Sequence, residues 1–261
     1  MICTLGDLLL DVVVRLDGPI AEDTDAYGQT WVGAGGQAAN VAAWIVALGG
    51  RARFVGTRAR DLAGRLVVTE LESRGVHVAG PEVESGTGTV ISIATPDGRR
   101  TMLSDRGVAP DFTADELDPA WLESCEWLFV SGYSLARSPI REAALAAARL
   151  APRVGVDLSS TTAIEEVGVE RFLEALDELG PEVVFANEDE AALVGELEYE
   201  TVVKLGAAGC RAGAREYPAK PADVVDPTGA GDAFAAGYLL AGPELALAAA
   251  ARCVAKMGSM P

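Results

Sequence analysis

The chain has 261 residues, of which 49% are hydrophobic and 23% charged, a globular composition long enough to bury a sizeable core. Its formal net charge of -18, from 21 Lys and Arg against 39 Asp and Glu, repels polyanions, so neither a nucleic acid nor an anionic membrane surface is expected as partner and a small substrate fits better. Four dispersed cysteines with no CxxC argue against a zinc site or a disulfide framework, and the single histidine, His77, leaves a multi-histidine metal site without ligands and a Ser/His/Asp triad with one candidate.

Along the chain, the opening MICTLGDLLLDVVV lacks a basic leader and a cleavage site, and Asp7 and Asp11 interrupt its apolar run. It reads as the first strand of a soluble fold, with the cytoplasm as the expected compartment. No apolar stretch reaches the roughly 18 to 20 residues needed to cross a bilayer. Strands are expected at Ile2 to Gly6, Ala52 to Val55, Trp127 to Ser131, Val154 to Asp157, Val183 to Ala186 and Val202 to Leu205. Helical periodicity fills the intervals at Ala38 to Leu48, Leu62 to Arg74, Pro139 to Leu150, Val169 to Leu179 and Glu188 to Val194, and returns at Asp232 to Leu240 and Glu244 to Lys256. His77 falls at a strand start and reads as structural. The alternation predicts an α/β fold, a doubly wound, mostly parallel sheet flanked by helices, as one domain over residues 1–261. Two segments, approximately 9–34 and 86–104, instead show period-2 strands with turns at Asp17-Gly18-Pro19 and Pro96-Asp97-Gly98. They predict a small antiparallel β-flap that serves as a lid and excludes water from a site.

The sharpest feature is Asp226-Pro227-Thr228-Gly229-Ala230-Gly231-Asp232-Ala233-Phe234, a glycine turn that opens a helix. Backbone N–H groups of Gly229, Ala230 and Gly231 converge there, and the helix dipole adds partial positive charge, so a phosphoryl group suits the pocket. A carboxylate beside an anion is repulsive unless it takes a proton from an attacking hydroxyl, which makes Asp232 a candidate general base. Otherwise it only complements the dipole, a contribution of roughly 0.3 to 1 kcal/mol. A second glycine turn, Ala34-Gly35-Gly36-Gln37-Ala38-Ala39-Asn40, leads into the first helix. Gly33, Gly35 and Ala38 also satisfy GxGxxA, but a dinucleotide fingerprint follows the first strand directly and ends the second strand with an acid, and neither holds here.

Together the two turns resemble the two signatures of the ribokinase-like, or PfkB, family of carbohydrate kinases, nearly end to end. The resemblance implies that Asp11, Gly35, Gly36 and Asn40 bind the substrate's hydroxyls. It implies that Asn187 and Glu190 of Asn187-Glu188-Asp189-Glu190 organise Mg²⁺ through water, and that Gly229, Ala230 and Gly231 form the anion hole beside the catalytic base Asp232. Lys204, Gly206, Gly209 and Thr228 fall at nucleotide-binding positions, with ATP and Mg²⁺ as cofactors and a monovalent cation as a further one. Singly, these residues also have bland readings: Asp11 as a strand-end cap, Asn40 as a helix-terminus hydrogen bonder, Asn187 and Glu190 as an ordinary helix start. Lys204 departs from a threonine common in relatives and is either a phosphate-neutralising cation or a snorkelling surface lysine. The interval from Glu190 to Lys204 is short and the chain stops soon after Gly258, so a trimmed adenine pocket is expected. Asp105-Arg106-Gly107 resembles a sugar-kinase segment, with Arg106 against substrate or phosphate.

The expected function is ATP-dependent phosphorylation of a hydroxyl, a CH₂OH group, on a sugar or sugar-like molecule. A nucleoside or inositol kinase of the same fold is the alternative, and an NAD-dependent dehydrogenase or a non-catalytic sugar sensor the alternatives from other classes. The edge of the flap invites a homodimer through the lid.

Overall fold

Both faces of the inner strands are apolar, the pattern of a sheet covered on each side. Ile2 of the strand Ile2–Leu5 faces one core and Cys3 and Leu5 the other. In Trp127–Ser131, Phe129 joins Ile2 while Leu128 and Val130 join Leu5, and in Val183–Asn187 the same split sets Val183 and Phe185 against Val184 and Ala186. The computed structural model describes residues 1–20, 23, 25–97 and 99–261.

Among the described residues the main sheet has nine strands. Their order is Arg215–Tyr217, Cys210–Ala212, Glu200–Lys204, Val183–Asn187, Val154–Asp157, Trp127–Ser131, Ile2–Leu5, Ala52–Val55, His77–Ala79. Pairing is parallel from His77–Ala79 to Glu200–Lys204 and antiparallel beyond. The edge hairpin of Cys210–Ala212 and Arg215–Tyr217 was not expected, because three-residue strands are too short to display a period. Helices Gln37–Ala47, Ala230–Ala241 and Pro243–Val254 cover one face, and Ile140–Ala148 and Val169–Leu179 the other. No helix among the described residues is long and apolar enough to cross a membrane.

From Ile2–Leu5 the chain moves outward to Ala52–Val55 and His77–Ala79, then returns to the opposite side at Trp127–Ser131. This reversal is a topological switch point, and ligands of open α/β sheets bind beyond the strand ends there. In register along that rim stand Ser131 beside Asp157 and Asn187 beside Lys204.

The lid is a four-stranded sheet ordered Gly28–Gly35, Leu9–Leu16, Thr87–Ala94, Arg100–Gly107. Each expected lid segment forms its own antiparallel hairpin, but the inner pair, Leu9–Leu16 and Thr87–Ala94, is parallel. The wholly antiparallel flap is thus corrected: the two hairpins leave the main sheet in separate excursions, and their inner strands meet running the same way. Of the expected turn at Pro96-Asp97-Gly98, Gly98 lies outside the described residues. The helix Leu62–Ser73 ties both hairpins down. Its Glu70 accepts from Ala34 N at 2.7 Å, and its N-cap Asp61 accepts from the Thr87 hydroxyl at 2.6 Å and from Gly86 N at 2.9 Å.

Candidate active site

The glycine turn is built before the helix it opens. Buried Asp226 accepts from Thr228 N at 2.9 Å, from the Thr228 hydroxyl, and from Gly258 N at 3.0 Å, so one carboxylate closes the turn and staples it to the C-terminal segment. Thr228, expected beside a nucleotide, therefore turns its hydroxyl to Asp226. Gly229 follows as N-cap with φ 76°, and a Cβ there would lie 2.6 Å from Ser259 Cα. Only glycine meets both demands. The helix Ala230–Ala241 begins immediately, which puts Asp232 in its first turn.

Asp232 is half-buried and accepts from Asn40 Nδ2 at 2.7 Å. Burial pushes its carboxyl up to about 7, the Asn40 hydrogen bond opposes this, Asp157 and Asp11 add to the rise and Lys204 pulls against it. A carboxylate tuned to that range exchanges a proton readily near neutral pH. Asn40, 5% exposed, sits in the first turn of Gln37–Ala47, whose N-cap is Gly36.

Asp11 approaches from the lid. The first strand ends at Leu5, so Asp11 is not at its end; it is the third residue of the lid strand Leu9–Leu16, because the glycine turn at Gly6 separates the two. Gly35, on the neighbouring lid strand, makes room for it: a Cβ on Gly35 would lie 2.1 Å from Asp11 Cγ. The structure thereby brings Asp11, Gly35, Gly36, Asn40 and Asp232 together from the lid, the first helix and the late glycine turn. Buried Ser259 joins them, its Oγ 3.1 Å from Asn40 Oδ1 and 3.4 Å from Asp11 Oδ2.

On the other side of the glycine turn lies a cavity of about 520 Å³, lined by Lys204, Gly206, Gly209, Gly231, Phe234 and Val254 among others. Small-molecule sites run to roughly 300 to 1,000 Å³, so the cavity is of a size that suits a small ligand. Lys204 is not a snorkelling surface residue. Its ammonium donates to Asp157 Oδ2 at 2.6 Å and stands 3.4 Å from the position a Gly231 Cβ would take. Burial alone would drive its proton off, but the Asp157 and Glu190 carboxylates, with Asp232, hold it more firmly than usual.

Asn187 and Glu190 form a reciprocal capping box at the start of Glu188–Val194: Glu190 N donates to Asn187 Oδ1 and Asn187 N to Glu190 Oε2, each at 2.8 Å. Asn187 precedes the helix as its N-cap, so the pair meets through the capping box and not along one helical face. Glu190 is only 2% exposed, and burial followed by the Asp157 charge raises its pKa, with Lys204 opposing. Asn187 remains exposed.

Arg106 pairs with buried Asp7 and lies over the Tyr133 ring, 3.6 Å from its centroid, so it latches the lid to the body. Gly33 and Gly35 belong to a lid strand and not to a turn after Ile2–Leu5, which removes the dinucleotide fingerprint. Several rim residues escaped sequence reasoning. Asp157 ends an expected strand with an acid, a usable signal given the rule for strand ends. Gln37 accepts from Ser131 Oγ and Ser159 Oγ, each at 2.6 Å, and nothing local marks that bridge.

A sequence profile of pfkB family carbohydrate kinases matches residues 1–260. The chain belongs to that family. As a pfkB family carbohydrate kinase it is a phosphotransferase with an alcohol group as acceptor. It is 30% identical to an ATP-dependent ribose-1-phosphate kinase of Halopiger xanaduensis, across 91% of this chain and 83% of the relative. It is 29% identical to Fructokinase-1 of Zea mays, across 92% of this chain and 82% of the relative. The crystal structure of adenosine kinase from Sinorhizobium meliloti superposes with a TM-score of 0.86 at 24% identity, covering 100% of this chain and 95% of the other, and shares its fold.

Proposed function

We propose that this kinase transfers the γ-phosphoryl group of ATP to a hydroxyl, a CH₂OH group, of a sugar or sugar-like molecule, with Asp232 as general base. The observation that carries the reading is the position of Asp232. It joins the Asn40 amide and the Asp11 side on one flank, and the Gly229-Ala230-Gly231 turn with Lys204 on the other. A substrate hydroxyl held by Asp11 and Asn40 would lie between a carboxylate able to take its proton and a turn able to hold the transferred group.

Asp11, in the space left by Gly35, accepts hydrogen bonds from sugar hydroxyls, and a buried polar site of this kind rejects substrates that lack them. The amides of Gly229, Ala230 and Gly231 stabilise charge on the moving phosphoryl group. Lys204 adds a cation there, and Gly206 and Gly209 let the backbone approach the nucleotide in the cavity. Among the described residues no cluster of His, Cys, Asp or Glu forms a metal cage, but Mg²⁺ at phosphate sites needs only one or two carboxylates with waters and phosphate oxygens. Glu190, with Asp157 near it, fits that need, and Asn187 holds Glu190 by the capping box. When bound, Mg²⁺ would neutralise phosphate charge.

The relatives' names direct the first assay to fructose and ribose 1-phosphate, with adenosine, inositols and other sugars beside them. ADP release that depends on one of these supports the proposal. Tight sugar binding with no ADP release across the panel would make the protein a sugar sensor.

A further inference from the structure

The Asn40 amide faces an acceptor on one side, the Asp232 carboxylate, and a hydroxyl donor on the other, Ser259. Its Nδ2 donates to Asp232 at 2.7 Å, which leaves Oδ1 on the far side, 3.1 Å from the Ser259 hydroxyl. Were the amide rotated, its oxygen would meet the Asp232 carboxylate with no proton between them. The acceptor-only carboxylate disfavours that rotation, and Ser259 Oγ holds the observed orientation by supplying the donor that the amide oxygen needs. The serine itself has little freedom. It is 4% exposed, its carbonyl accepts from Trp44 Nε1 at 2.8 Å, and its Cα packs against Gly229 so closely that a side chain there would clash. Alanine would fill the same space and keep both backbone contacts, so the fold does not require the hydroxyl.

We infer that Ser259 is a positioning residue for the base: its hydroxyl fixes the Asn40 amide with the nitrogen toward Asp232, and so favours the ionised form of that carboxylate and aims it at the substrate. The inference rests on the assignment of Asp232 as base. The charged and titratable groups around Asp232 are Asp11 and Asp157, which favour its protonated form, Lys204, which disfavours it, and the Cys253 thiol, pushed up to about 12 chiefly by burial and therefore neutral. The Asn40 hydrogen bond is the main neutral contribution that favours the carboxylate, and Ser259 secures it. Asp11 Oδ2, 3.4 Å from the same Oγ, is the longer-range competitor for the one serine proton, and a sugar hydroxyl that donates to Asp11 would relieve that competition.

The test is the pH profile of kcat/KM for the full chain with its confirmed sugar. Ser259→Ala should move the acid limb upward by about half to one pH unit, with the loss concentrated below the midpoint, because a freed amide stabilises the carboxylate less. Ser259→Thr, which keeps the hydroxyl, should restore the midpoint. In an Asn40→Ala background, Ser259→Ala should displace the limb no further, since the two act through one contact. An unchanged midpoint in Ser259→Ala overturns the inference, as does an even loss at every pH that tracks a lower melting temperature. Asp232→Asn, measured alongside, separates the levels: if it is inactive while Ser259→Ala keeps the parent midpoint, this inference alone fails.

Discussion

Lys204 and Asp157 meet at 2.6 Å across the carboxyl ends of strands that are separated by Val183–Asn187, and the pair stands directly behind Gly231. A cation held there by a buried carboxylate is preorganised for phosphate, since its rotamers are already restricted before a nucleotide arrives. Lys204→Met should raise the KM for ATP about tenfold or more and leave the KM for sugar nearly unchanged. It also strands Asp157, which is 1% exposed, so denaturant unfolding should show a loss of about 3 kcal/mol. Parent values for both quantities would return Lys204 to a bystander role.

The longer helices, the inner strands of the main sheet and both glycine turns were legible because each carries a local signal: apolar β-branched runs between helical periods, and glycines ahead of an apolar helix. The edge hairpin and the short helices Gly132–Leu135 and Thr161–Val167 are too brief to show a period. What the sequence hid is pairwise. Asp7 and Arg106 are 99 positions apart and Lys204 and Asp157 are 47 apart, and no local pattern links either pair. The lid's parallel inner pair escaped for the same reason, since register between separate excursions depends on the tertiary path. Asn187 and Glu190 show the opposite failure. Their spacing is read equally as a capping box or as a metal motif, and the structure realises the box while burying Glu190 beside the Lys204 and Asp157 charges.

That ambiguity makes Glu190→Gln informative. Glutamine serves a capping box as well as glutamate does, so the helix start should survive with little change in melting temperature. The charge is lost, and the Mg²⁺ concentration giving half-maximal rate should rise several-fold, as one carboxylate fewer faces the ion or its waters. A titration superimposable on the parent's would assign Glu190 to the helix alone.

Asp11→Ala should raise the KM for sugar by about 10- to 100-fold and the KM for ATP far less, because hydroxyls lose a charged acceptor on the lid side only. Gly35→Ala should reproduce the effect without touching Asp11's chemistry, since its methyl would occupy the carboxylate's space. Equal changes in both KM values would remove Asp11 from the sugar site.

The lid exposes Trp31, Val32, Met102 and Leu103, with Val32 57% and Leu103 55% exposed, on its two outermost strands. Burying these edges against the lid of a second protomer would close them, and a two-fold dimer is proposed on that basis. Light scattering at micromolar concentration should give twice the chain mass, and Leu103→Lys should halve it; a monomer in the parent refutes the pairing.

Asp232 offers the largest separable effect. Its pKa of about 7 lies above the usual carboxylate range, so in the free enzyme the base becomes ionised as pH rises through about 7, and kcat/KM should climb over that interval. Stability runs the other way. The folded state holds this proton between the ordinary carboxylate range and about 7 while the unfolded chain has released it, so folding free energy contributed by the group is lost as pH increases across that window. Asp232→Asn keeps the shape and can still face Asn40, so the variant should fold, and above neutral pH it should melt no lower than the parent, since a buried negative charge beside Asp157 and Asp11 has gone. Its kcat should nevertheless fall at least about 100-fold, the lower end of what a general base contributes. ATP affinity should hold or increase as repulsion of the γ-phosphate is relieved. A helix-dipole role predicts instead a change of at most about 1 kcal/mol in stability and little in rate. Gly229→Val provides the companion test, because its side chain would collide with Ser259 and strain a residue at φ 76°, and phosphate binding should be lost with it. If Asp232→Asn retains more than about a tenth of the parent kcat on a confirmed sugar, a loss smaller than general-base removal requires, then proton abstraction by Asp232 is not the chemistry of this site.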